Sequence, residues 1–143
     1  MGFEKICITN LNEDILYTQF IKFSNHHYSG FIYSKDNKDY LYSSSSNGCI
    51  NIWDLYDAKL YNAINTNLCI LHHIIEWNSR YIIAADYTNK SFKIIDRKEN
   101  KVVSNITGQH YGHITCVKKI IHPIYGESLL TAGDDVAIKL WSI

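Results

Sequence analysis

The sequence predicts an all-β chain in which one module of four antiparallel strands recurs about three times. Three observations carry that prediction. Residues 40–54, 82–96 and 128–142 align without a gap, which puts Trp53, Ile95 and Trp141 at matching positions. The interval from Trp53 to Ile95 is 42 residues and that from Ile95 to Trp141 is 46, near the ~40–45 residues of a four-stranded repeat. Within each segment the pairs Ile50/Ile52, Phe92/Ile94 and Ile138/Leu140 alternate with Asn51, Lys93 and Lys139. That is the two-residue period of a strand with one buried face.

In chain order, the first expected strands are 5–8 and 15–20, joined by a polar turn at 9–14. Ile8 lies seven residues before Ile15, as Trp53 does before Leu60 and Ile95 before Val102. The pair therefore reads as the end of a preceding module. The first full module has strands at 28–34, at 41–44, through Ile50 and Ile52, and at 60–64. The second has strands at 70–76, at 83–86, through Phe92 and Ile94, and at 102–106. The third has 116–122, 129–132 and a strand through Ile138 and Leu140, after which the chain stops. Between the second and third strands of each module lie turns rich in Ser, Asn, Asp and Gly, as hairpins require.

Composition bounds the function. The 143 residues suit one domain, and 46% hydrophobic with 20% charged residues is ordinary for a folded soluble chain. Lys+Arg and Asp+Glu are balanced at 14 each with no long run of either sign. The basic excess by which nucleic-acid binders displace counterions is missing, so no nucleic acid is expected. No apolar run approaches the length of a bilayer span, so no membrane is expected either. Cys7, Cys49, Cys69 and Cys116 form no C-x-x-C pair, and no signal peptide is readable at the start. The expectation is reduced thiols in the cytoplasm, with the nucleus as the secondary reading.

Residues that invite a chemical reading have structural explanations. His26-His27 and His72-His73 are adjacent pairs. Neighbours on a strand face opposite sides, so neither pair is expected to chelate one ion, and no zinc-type spacing occurs. Asp134-Asp135 falls in a hairpin turn, and the serines at 43–46 lack a G-x-S-x-G frame. With no Gly-rich phosphate loop, no catalytic residue, metal or cofactor is expected.

The third module carries a signature. Gly112-His113 opens it, Asp135 occupies its hairpin turn, and 138–141, ending in Trp141, closes it. This resembles a WD40 repeat, of which the first module is a good and the second a weaker copy. The resemblance implies β-propeller blades of four antiparallel strands, about three of them, in an incomplete ring. Residues 1–143 then form a single WD40-repeat domain. Its parts are a strand pair of a preceding blade at 3–20, blades at 21–64 and 65–106, and a blade at 107–143 without its outer strand. It also implies a hydrogen-bond relay from Asp135 to His113, His113 to Thr131, and Thr131 to the Trp141 indole. The first module departs from it, with Asn47 for the turn Asp and Asn25 or His26 at the His position. So does the second, with Asn89 in the turn and Ile95 for Trp.

Such a resemblance implies a non-catalytic scaffold for other proteins or peptides. Contacts are expected at Ser46, Thr88 and Asp134, one before each turn Asn or Asp. The second reading is a regulatory or targeting segment of a larger multidomain enzyme such as a kinase. Propellers close with four to eight blades. Burying ~400 Å² at each bare end of a three-blade arc would stabilise by about 10 kcal/mol. The missing blades are therefore expected from a longer chain or from a second copy joined head to tail.

Overall fold

The computed structural model describes residues 8–10, 15–17, 26–107 and 110–142. Every regular element among them is a strand. An N-terminal pair, β1 (Ile8–Asn10) and β2 (Ile15–Tyr17), stands apart from three larger sheets. The first sheet comprises β3 (His27–Lys35), β4 (Lys38–Ser45), β5 (Cys49–Asp54) and β6 (Lys59–Asn65). The second comprises β7 (Leu71–Glu76), β8 (Tyr81–Asp86), β9 (Ser91–Asp96) and β10 (Lys101–Ile106). The third has β11 (Ile114–His122), β12 (Gly126–Gly133) and β13 (Ile138–Ser142). Strands follow chain order within each sheet, antiparallel throughout.

The turns have local causes. Asp36 and Asn37 both sit at positive φ, 52° and 58°, as a two-residue hairpin with the native strand twist demands. The carboxylate of Asp54 accepts the backbone N–H groups of Tyr56 and Asp57, and that of Asp96 accepts those of Lys98 and Glu99. These aspartates fold the turn after the third strand twice over.

The sheets lie side by side through their first strands. β7 packs on β3 and β4 on one side and on β11 on the other. The middle sheet is thus covered on both faces. Ile82 and Ala84 enter a core with Ile50, Ile64, Leu71 and Ile95. Ile83 and Ala85 enter a second core with Phe92, Ile114 and Leu129. Neighbours on a strand face opposite ways, so β8 is buried continuously from Ile82 to Asp86. The arc is open. The face of the third sheet turned away from the second leaves Ile138 73% and Leu140 39% exposed.

Trp53, Ile95 and Trp141 pair with Leu41, Ile82 and Leu129, at equivalent positions of the three sheets. The ungapped alignment does not survive in the second sheet, because Ile95 pairs with Ile82 and not with Ile83. The β8–β9 turn holds one residue more than its counterparts. The N-terminal pair also differs from expectation. Thr9 and Asn10 pair with Leu16 and Ile15 instead of turning, and Ile8 faces Tyr17. The seven-residue analogy with Trp53–Leu60 therefore fails. Residues 5–7, 18–20 and Asn25 lie outside the described residues.

Candidate partner-binding site

A buried polar chain ties the third sheet to the loop that leads into it. The Trp141 indole N–H donates to Thr131 Oγ1 at 2.9 Å. Thr131 Oγ1 lies 2.8 Å from His110 Nε2, and His110 Nδ1 lies 3.0 Å from both oxygens of Asp135. The Asp135 carboxylate can only accept, so the imidazole N–H at Nδ1 donates to it; in the neutral ring Nε2 is then the acceptor, and the Thr131 hydroxyl donates to it. Asp135 also accepts the backbone N–H groups of Tyr111 and Ala137. The His110 bond, with these backbone donors, holds its carboxyl far below the usual range despite burial. Gly133 permits the close approach, since a Cβ there would lie 2.8 Å from His110 Nδ1.

Thr131, Asp135 and Trp141 thus meet through His110, and His113 is not part of the chain. The His113 carbonyl accepts the Asp134 N–H and its ring bonds the Tyr87 carbonyl. A Gly-His dipeptide does not reveal how the loop ahead of β11 folds. Among the described residues, the other sheets shorten the scheme or dispense with it. In the first, Trp53 Nε1 donates to Ser43 Oγ at 2.8 Å. There His26 takes the place of His113, its carbonyl accepting from Ser46. In the second, Ala84 and Ile95 replace Thr131 and Trp141, and both are fully buried.

The hairpin turns fix which expected contact residues correspond. Ser46, Tyr87 and Asp134 each donate a backbone N–H to the loop before the first strand, at His26, Ile70 and His113. The second-sheet counterpart of Ser46 and Asp134 is therefore Tyr87. Thr88 lies one step further on, exposed, with its N–H on Asp86. The extra turn residue causes the shift.

Tyr87 joins a strip of rings that crosses all three sheets at this end. Tyr28 stacks on His72 at 4.9 Å, His72 meets Tyr87 at 5.2 Å, and Tyr87 stacks on His113 at 4.0 Å. The strip crosses the turn-side ends of β3 and β7 and the entry to β11. His72 and His73 were expected on opposite faces. A register shift between Leu71 and His73 breaks the alternation, and the two rings lie 4.8 Å apart. His72 Nδ1 and His73 Nε2 are buried without a partner. Burial, reinforced by the neighbouring His72, lowers the pKa of His73. Among the described residues no three His, Cys, Asp or Glu side chains cluster as metal ligands. Nothing in the sequence marked the strip, because its members are far apart in the chain and meet only when the sheets pack.

No family model and no curated protein matches the sequence. Among solved structures, the chain is similar to the WD40 β-propeller domain of Doa1, with a TM-score of 0.67 at 16% identity. The match covers 89% of this chain and 39% of that one, so the chain spans about two fifths of the domain it resembles.

Proposed function

From a chain folded as an open arc of WD40-type propeller blades, we propose a non-catalytic platform that binds protein or peptide partners at the turn end of its sheets. The ring strip Tyr28–His72–Tyr87–His113 carries this reading. Aromatic side chains offer large contact area at small entropic cost and are enriched where proteins meet. Ser46, Thr88 and Asp134 flank the strip and supply the polar rim. The test compares proteins retained from a native lysate by the wild-type chain and by a Tyr28→Ser/Thr88→Ala variant with an unchanged circular dichroism spectrum. Loss of the same partners supports the site, and full retention by the folded variant overturns it.

The proposal extends to closure of the ring. Ile138 and Leu140 are apolar residues left exposed on a sheet face that none of the described residues covers, and a patch of that kind marks an interface. Further blades, from a longer chain or from a second copy placed head to tail, would bury it. Sedimentation that finds only a folded monomer at all concentrations removes the second copy. Cys49, Cys69 and Cys116 carry free thiols, which fits the cytoplasm as the place of work.

A further inference from the structure

A cleft of about 500 Å³ opens between the first and second sheets at the end away from the ring strip. Tyr33, Tyr40 and Tyr42 wall it, Arg97 lies at its floor, and Lys35 and Lys98 stand at its rim. Arg97 occupies the position that Leu55 holds in the first sheet: each donates its backbone N–H near the start of the second strand, at Arg80 just before β8 and at Asp39 in β4 respectively. A cation has thus replaced an apolar residue and is only 8% exposed. Its guanidinium carbon lies 3.5 Å from the Tyr33 ring centroid. Glu76 is 3.2 Å away, and the carbonyls of Asn78 and Ser79 accept from the same group. These bonds pin the guanidinium in place beneath the tyrosines.

The tyrosine walls add no negative charge. Burial raises the pKa of Tyr42 and keeps its phenol neutral. Asp36, in an exposed ion pair with Lys35 at 3.9 Å, is the one acidic residue of the lining, against Lys35, Arg97 and Lys98. With Glu76 counted against Arg97, the cleft keeps one net positive charge in a chain whose net charge is zero. On the second sheet, a smaller cleft is lined by Trp77, Asn78, Tyr81, Ile83, Ile94 and Val103, and Lys119 of the third sheet bonds the Trp77 carbonyl beside it.

We propose that this cleft binds an acidic peptide segment. Its carboxylates would meet Lys35 and Lys98 at the rim, and its methylene groups would lie on the tyrosine faces above Arg97. The rings favour narrow side chains over flat bases. Tyr33 stands at 86° to Tyr42 and Tyr40 at 55° to Tyr61, and Tyr42 is already stacked on Phe31 at 7°. This site is independent of the turn-end platform, and either can fail without the other.

The experiment is a titration of the whole chain with acetylated hexaglutamate, followed by intrinsic tyrosine and tryptophan fluorescence, with hexaglutamine as the neutral control. Saturable binding of the acidic peptide alone is expected. It should weaken about tenfold in Lys35→Glu/Lys98→Glu, whose sites are exposed and whose folding is checked by circular dichroism. It should also weaken as salt rises from about 0.01 M to about 0.15 M, which shortens the Debye length from roughly 30 Å to roughly 8 Å. Absence of saturable binding, equal binding of hexaglutamine, or binding unchanged in the folded double variant overturns the proposal.

Discussion

The second and third sheets hold different residues at the same places. Counting back three residues from the equivalent carbonyls of Ile70 and His113 gives Asn67 in one and His110 in the other. Ala84 answers to Thr131, and Ile95 to Trp141. Among the described residues the third sheet has one neighbouring sheet and an open flank, and a polar chain locks its hairpin turn to the loop before β11. The second sheet has a neighbour on each face and is held by apolar contact, supplemented by bonds such as Lys93 to the Thr66 carbonyl at 2.7 Å. A blade between two others can dispense with the relay, because burial on both faces already fixes it. A blade at an edge gains more from directional bonds.

The largest effect should come from the packed side of the comparison. Phe92 is almost fully buried between the second and third sheets, edge-on to Trp141. Phe92→Ala should cost about 3–5 kcal/mol in urea unfolding. A loss under about 1 kcal/mol would show that packing is not what holds the middle sheet.

Next comes the relay. Thr131→Val strands the Trp141 N–H and His110 Nε2 together and should cost about 1–3 kcal/mol. The mirror change, Ala84→Thr, buries a hydroxyl beside Ile95 and should cost a similar amount in a sheet with no relay to receive it. A neutral Thr131→Val paired with a harmful Ala84→Thr would break the comparison. The relay also has an acid limit. The carboxyl of Asp135 is depressed in the fold. Its contribution is complete above the ordinary Asp value of about 3.9 and is lost progressively as pH falls below that. Asp135→Asn should flatten this part of the acid unfolding profile.

A smaller effect separates two hairpins. Gly48 in the first sheet and Val136 in the third occupy the same turn position at φ of 75° and 60°. Val136 is 97% exposed, and nothing offsets its strain in the left-handed region. Val136→Gly should stabilise by about 1 kcal/mol, the Cβ relief exceeding the added chain entropy. An unchanged thermal midpoint would refute it.

The shallowest expected change concerns His73. Its folded pKa is lowered by burial and by His72, so the fold favours the neutral ring. Below the ordinary value of about 6.5 the unfolded chain takes up the proton first, and stability falls as pH drops through that window. His73→Gln should remove this slope while leaving the lower one due to Asp135.

Much of the architecture was legible in the chain. The alternation in 50–53, 92–95 and 138–141, the turn residues and the interval between Trp53, Ile95 and Trp141 announced the three sheets and the place of each third strand. Thr131, Asp135 and Trp141 were also readable from their positions in the third module. The relay histidine was not, since His110 and His113 are both available and only the path of the loop chooses between them. Thr88 was singled out in place of Tyr87 because one inserted turn residue leaves no mark on an alignment anchored at both strands.

What the sequence by itself determined is therefore local: which stretches extend, where they turn, and how often the pattern returns. Strand periodicity depends on neighbours two residues apart, and those are written side by side. Only the tertiary structure decided the ring strip, the cationic cleft at Arg97 and the identity of the relay histidine. Each joins residues from different strands or sheets, whose spacing is set by how far one packed sheet rotates and slides against the next.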